Sequence, residues 1–486
     1  MCEIMDKGCG NLSRLDFRLQ ILRDLFLLII LFAISVYLVY FTSQSFARLF
    51  FLALLLTFFF SRKDYIWFAF FFILAQGPGY FFADYSGLSL QRLPLYTFVA
   101  GMSFTPIDLF VFLALVKALI KGKGTRLKLE KPLLALLLYI VFSIFVTSFV
   151  YGTSIDVIVW NVRWIFYYSV IISFVYLLSK KQDMLKFALL VFPFVFFILF
   201  TQIYFIVTGN ELINMFNPEF RWIAINSITG ALRPIMGGVL ILFFSLVFSL
   251  LLLSKENNGL PNIYLYLVMC VSFLSVFLSA TRLWFVIFSF VFIGYVLVSK
   301  KKFSSILGIA SIFLVVVSTL IYFGVLPLDF LIESSWGRLH RVLGIFKGDI
   351  YAIDTARNRL LNQLPLSIGV IKQSPFVGYG FSYITMSHYD NDLGFVNTIL
   401  IFGIIGFSLL LFLLVRIFTV LIFAIKNEVL YDSDKIPLKV LTIAWISVLI
   451  GYFTTWDFFT MSFDKVFFVS ILIAFSEFYV NDLSRC

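Results

Sequence analysis

The sequence predicts an all-α fold, a polytopic membrane helical bundle of about fourteen transmembrane helices with one large external loop forming a small helical cap. Three observations lead there. Of the 486 residues, 62% are hydrophobic and only 13% are charged, too few charges to cover a soluble body of this size. The apolar residues fall in runs of about 20, the length of helix that crosses the hydrocarbon of a bilayer. Lysine and arginine collect in the loops between alternate runs, as the positive-inside rule requires.

The chain opens on a polar, basic stretch, MCEIMDKGCGNLSRLDFRLQ, followed by an apolar run with no small-residue cleavage site, which reads as an uncleaved first helix. Spans are expected at 20–42, 46–61, 65–83, 105–121, 132–151, 157–178, 184–207, 233–253, 263–281, 283–299, 304–326, 393–417, 438–456 and 463–480. Alternation along this series puts Arg62 and Lys63, the run Lys117 to Lys131, Lys180 and Lys181, Lys255, Lys300 to Lys302, and Lys426 to Lys439 on one side. That side is the cytoplasm, with both termini in it. The chain thus divides into N-terminal spans (1–326), a large external loop (327–392) and C-terminal spans (393–486).

The 64 phenylalanines read as lipid-facing and interhelical packing. Cys2, Cys9, Cys270 and Cys486 have no metal-ligand spacing, and His340 and His388 are the only histidines, so no metal site and no cofactor is expected. A net charge of +11 follows from the cytoplasmic lysines and calls for no nucleic-acid partner. Walker, dinucleotide, HExxH and serine-hydrolase motifs are absent. DNDLG opens like a calcium loop but lacks the closing glutamate.

On the external side the cations are mainly arginine, including Arg48, Arg92, Arg221, Arg233, Arg282, Arg338, Arg341, Arg357 and Arg359. The guanidinium fork grips phosphate bidentately, where lysine is a hydrated point charge. Arg233, in GALRPIMGG, stands where the chain enters a helix, whose free N–H groups favour an anion. Arg282, in LSATRLWFVIF, occupies a tight external turn beside Ser279 and Thr281. Arg163 falls inside a span with Asn161 and two turns from Asp156, the pattern of a structural polar contact. In the large loop, WGRLHRVLGIF (336–346) is amphipathic and suits a helix at the interface, and 356–381 reads as a second helix ended by Ser374-Pro375 and a Gly-Tyr-Gly turn. His388, in SHYDNDLGF, has Asp390 and Asp392 beside it; an imidazole next to a carboxylate suits a proton acceptor, with Asp392 orienting it or acting as the base itself.

The order of these segments resembles the bacterial O-antigen polymerase and O-antigen ligase superfamily. SATRLWFVIF is similar to its short S-x-[ST]-R turn, and GALRPIMGG to its arginine at an external helix start. RNRLLNQLPLSIGVIKQSPFVGYGF followed by SHYDNDLGFVNTILIFGIIGF is similar to its last large loop and the helix after it. The resemblance implies a metal-independent membrane glycosyltransferase of the type-C class. Its donor would be an undecaprenyl-diphosphate-linked glycan at the outer face of the inner membrane, and a chain-length regulator is a further candidate partner. It implies diphosphate binding by Arg233 and Arg282, with Arg357 and Arg359 as helpers, and acceptor activation by His388. Ligases show His-Asn leading directly into the helix; here Tyr389 to Asp392 intervene, which favours a polymerase over a ligase. A flippase or transporter is the alternative from another class, and would call for inverted repeats and midplane charges.

Overall fold

In a computed structural model of the chain, the described residues are 11–76, 93–99, 102–121, 128–163, 165–209, 212, 237–254, 260–279, 281–299, 359–388, 393–426, 432–454, 458–460 and 463–483, with isolated positions between 311 and 322. Of these, 85% are helical. The helices are α1 (Asn11–Phe41), α2 (Gln44–Phe60), α3 (Asp64–Ala75), α4 (Pro106–Lys121), α5 (Glu130–Phe149), α6 (Ile155–Val162), α7 (Ser169–Leu177), α8 (Lys181–Val191) and α9 (Pro193–Thr208). They continue with α10 (Val239–Leu253), α11 (Asn262–Leu278), α12 (Arg282–Val298), α13 (Leu364–Ile371), α14 (Tyr383–His388), α15 (Gly394–Lys426), α16 (Asp432–Thr454) and α17 (Phe463–Leu483). An antiparallel hairpin, β1 (Tyr96–Val99) with β2 (Met102–Phe104), departs from the all-α expectation.

Among the described residues, five helical stretches are long and apolar enough to cross a membrane: Asp16–Phe41, Glu130–Phe149, Lys181–Thr208, Gly394–Lys426 and Lys435–Phe453. Shorter apolar helices fill the space between them. The third stretch joins α8 to α9 through Pro193, which takes the first position of α9, where a missing N–H costs nothing. The expected span 157–178 is instead α6, a 3₁₀ turn over Ile165–Tyr168, and α7. The expected helix at 304–326 and the amphipathic stretch 336–346 lie outside the described residues, apart from isolated helical positions between 311 and 322.

The helices pack through aromatic side chains. Phe71 stacks on Phe110 with centroids 4.1 Å apart, and Phe244, Phe248 and Phe475 form a second cluster. Such offset and edge-on pairs add to the apolar contact that holds helices together where lipid tails offer no hydrophobic drive.

Cross-helix contacts define two ends. At one end, Lys63 Nζ lies 2.7 Å from Asp24 Oδ1, and Tyr65 OH donates to Asp24 Oδ2. Lys117 donates there to Phe58 O, Ser61 O and the Asp64 carboxylate, and the Lys128 amide donates to Glu477. Lys63, Lys117 and Lys128 thus gather at one end.

At the other end several helices begin. A Cβ on Gly451 would meet Ile287, and one on Gly294 would meet Ile443, so α12 and α16 run antiparallel and the start of α12 faces the end of α16. Tyr452 OH donates to Thr398 Oγ1 at 2.6 Å, and Phe395 contacts Phe453, so α15 also starts there. Phe243 meets Trp284 and Phe288, so the start of α10 is level with the start of α12, and Phe243 and Phe248 meet Phe468 and Phe475 in turn, so α10 runs parallel to α17.

Candidate functional site

The end at which α10, α12 and α15 begin is the candidate site, because a helix start exposes unpaired N–H groups and the positive end of its dipole. Arg282 is the first residue of α12, following the turn at Ser279 and Thr281. Ser279 Oγ donates to Thr281 Oγ1 at 3.1 Å, which holds that turn. His388 is the last residue of α14, six positions before α15 begins. The backbone therefore brings the positions of Arg282 and His388 to one end of the bundle. Arg359 opens a π-helical turn, Arg359–Gln363, that leads into α13. Arg233, Arg357 and Asp392 lie outside the described residues.

The imidazole of His388 is exposed, and its Nδ1 lies 2.9 Å from both Ile384 O and Ser387 Oγ. A carbonyl oxygen only accepts, so Nδ1 carries the hydrogen. In the neutral ring Nε2 then carries the lone pair. That is the tautomer a proton acceptor needs.

The segment carrying His388 is fixed to the bundle by an arrangement that sequence reasoning missed. α15 breaks at Gly403, whose φ of 63° and ψ of −172° lie in a region that essentially only glycine adopts. The break frees two carbonyls and two amides, and the turn SPFVGYGF (374–381) takes all four. The Tyr379 and Gly380 amides donate to Leu400 O and Ile401 O, each at 2.8 Å. The Ile404 and Ile405 amides donate to Pro375 O at 2.8 Å and Phe376 O at 3.1 Å. Gly378, with a φ of 73°, lies so close to the break that a Cβ would fall 2.5 Å from Gly403 N and Ile401 O. From α5, Thr147 Oγ1 accepts the Phe381 amide at 2.9 Å. Tyr151 OH, just beyond α5, donates to Gly378 O. Thr385 Oγ1 donates back to Gly380 O at 2.7 Å and ties α14 to the turn. His388 thus stands one short helix away from an anchor of backbone hydrogen bonds.

Beneath the same end is a buried polar network. Asp108 accepts from the Thr105 amide (2.7 Å), Thr105 Oγ1 (2.8 Å) and Tyr167 OH (2.8 Å). Arg163 Nη1 lies 3.5 Å from Asp108 Oδ2 and 3.3 Å from Ser103 O. The carboxylate paired with Arg163 is therefore Asp108, not the sequence-local Asp156 first considered. Seven residues along one helix cannot compete with a facing helix, because α6 ends at Val162 and Arg163 turns toward α4. Thr-Pro-Ile-Asp at the start of an apolar run was the signal: threonine at the cap and an acid three residues on bond reciprocally, as the Asp108 amide to Thr105 Oγ1 contact completes. Ser470 Oγ donates to Tyr167 O, and Tyr167 meets Phe463 and Phe467, which joins this network to the start of α17.

No protein-family model and no curated protein sequence matches the chain.

Proposed function

We propose that the chain is a surface-polysaccharide polymerase, a bundle of about fourteen transmembrane helices whose arginine-bearing end faces outward from the bacterial inner membrane. It transfers glycan from an undecaprenyl-diphosphate donor to a lipid-linked repeat unit. A hydroxyl of the acceptor attacks the anomeric carbon of the donor sugar. The bond from that carbon to the diphosphate oxygen breaks, and the polyprenyl diphosphate leaves with the bonding electrons. The hydroxyl proton passes to His388 Nε2, with Asp392 orienting the ring or serving as the base. The leaving group needs no activation; what lowers the barrier is a fixed positive environment for its developing charge and an oriented nucleophile. Arg282 at the start of α12 and Arg233, six residues before α10, supply that charge, helped by Arg357 and Arg359.

The observation that carries this reading is the common level of the starts of α10, α12 and α15, which sets the Arg282 position and the His388 segment at one end. The test is the surface polysaccharide of a strain producing Arg282→Ala or Arg233→Ala protein. Loss of long chains, with single repeats still capping the lipid core and protein level unchanged, is expected. Normal chain-length ladders in both strains reject the diphosphate role. An undecorated core with accumulated lipid-linked polymer identifies a ligase instead.

A further inference from the structure

The geometry points to the turn SPFVGYGF (374–381) as a re-entrant element that dips into the outer half of the bilayer hydrocarbon, with Phe376 facing lipid rather than water. This rests on the membrane reading of the chain but not on glycosyl transfer.

Depth comes from α5. Its 20 residues make a rod of about 30 Å, which matches the hydrocarbon thickness from end to end. Tyr139 is the tenth of them, so it sits about 15 Å from either end. Its hydroxyl donates to Phe402 O at 2.7 Å, and a Cβ on Gly406 would touch its ring. The break at Gly403 therefore lies inside the hydrocarbon, between the levels of Tyr139 and Thr147. Pro375 and Phe376 accept hydrogen bonds from Ile404 and Ile405, just past that break, so the tip of the turn reaches the same level. The return limb climbs the outer half of α5: a Cβ on Gly380 would meet Ser143 and Thr147, and the Phe381 amide bonds Thr147.

Two independent features are compatible with hydrocarbon. Irregular backbone survives at membrane depth only when protein satisfies its polar groups. Here the amides of residues 378 to 381 and the carbonyls of Pro375, Phe376, Gly378 and Gly380 all have protein partners. The exposed surface is also apolar: Phe376 is 66% exposed, and on α5 Leu138, Phe142 and Phe145 are exposed as well. Lys372 precedes Ser374, whose hydroxyl accepts from Tyr151 OH at the outer end of α5, so its long stem reaches the headgroups by snorkelling.

The test is spin labelling of the full chain in phospholipid vesicles. Cys2, Cys9 and Cys486 are replaced by serine, and buried Cys270 stays. Single cysteines are placed at Phe376, at Phe142 as the lipid reference, and at exposed Asp156 as the aqueous reference. Because Phe376 projects outward, Phe376→Cys leaves the packing intact, and amide exchange at Tyr379 and Gly380 confirms the turn is docked. The label at 376 is expected to collide with dissolved oxygen and be shielded from a water-soluble nickel chelate, as at 142. Chelate accessibility at 376 like that at 156 overturns the proposal. Because the readout is accessibility, its failure is distinct from failure of the proposed transfer reaction.

Discussion

Replacing Gly403 by alanine isolates the junction on which the His388 segment hangs. The added Cβ would fall 2.2 Å from Phe376 O and 2.3 Å from Phe376 C, and both are backbone atoms that cannot swing aside. The conformation is also one that alanine resists, at about 1–3 kcal/mol. Relief requires the turn to leave the break and to give up its four inter-segment hydrogen bonds, at a net ~0.5–1.5 kcal/mol each. The total is about 3–9 kcal/mol against docking, a shift of at least about a hundredfold in the docked fraction. Two controls separate strain from collision. Gly152, with a φ of 58°, has open space around its Cβ position, so Gly152→Ala carries left-handed strain alone, about 1–2 kcal/mol. Gly369, inside α13 with nothing within 4 Å, should gain about 0.5–1 kcal/mol as alanine. Amide hydrogen exchange at Tyr379, Gly380, Ile404 and Ile405 reads the docking directly. Exchange should accelerate at least about a hundredfold in Gly403→Ala and stay unchanged in Gly369→Ala. Unaltered protection in Gly403→Ala refutes the clamp.

Thr147→Val removes the acceptor of the Phe381 amide at constant shape and should cost about 1–3 kcal/mol of turn docking, while Thr147→Ser restores it; equal exchange in both variants would dismiss the hydroxyl's part. Arg163→Met or Asp108→Asn breaks a buried pair and should cost about 3–5 kcal/mol in unfolding stability. The double variant should fall short of the sum by about 0.5–3 kcal/mol, and strict additivity would contradict a direct pairing.

Long apolar runs made most helices legible. The expected interval 20–42 overlaps α1, 132–151 overlaps α5, and 463–480 overlaps α17, because a run of that length leaves the backbone no alternative partners in hydrocarbon. Breaks were not legible, because their causes lie on other segments. Gly403 looks like a small packing residue in IFGIIGF until the amides of Tyr379 and Gly380 occupy the carbonyls it frees. The turn at Ile165–Tyr168 likewise follows from Tyr167 and Arg163 reaching Asp108 across the bundle. The hairpin at 96–104 was hidden because its residues are as apolar as the spans around it. For the site, the sequence put the arginine of Ser-Ala-Thr-Arg in a tight turn between two helices, and the structure makes it the first residue of the second. The anchoring of His388 through Thr147, Tyr151 and Thr385 could not, since hydroxyls inside apolar helices more often bond their own preceding turn.

The central claim is that the guanidinium at the start of α12 grips a lipid-borne diphosphate while His388 acts only on the acceptor. Equilibrium binding of radiolabelled undecaprenyl diphosphate to the purified chain in detergent tests it most directly. Arg282→Ala should weaken binding about ten- to a hundredfold, the loss of a charge-assisted contact of ~1.5–3 kcal/mol. His388→Ala should bind as the parent does and yet transfer no glycan. Equal affinity in the parent and Arg282→Ala, or weakened binding in His388→Ala alone, would contradict the account.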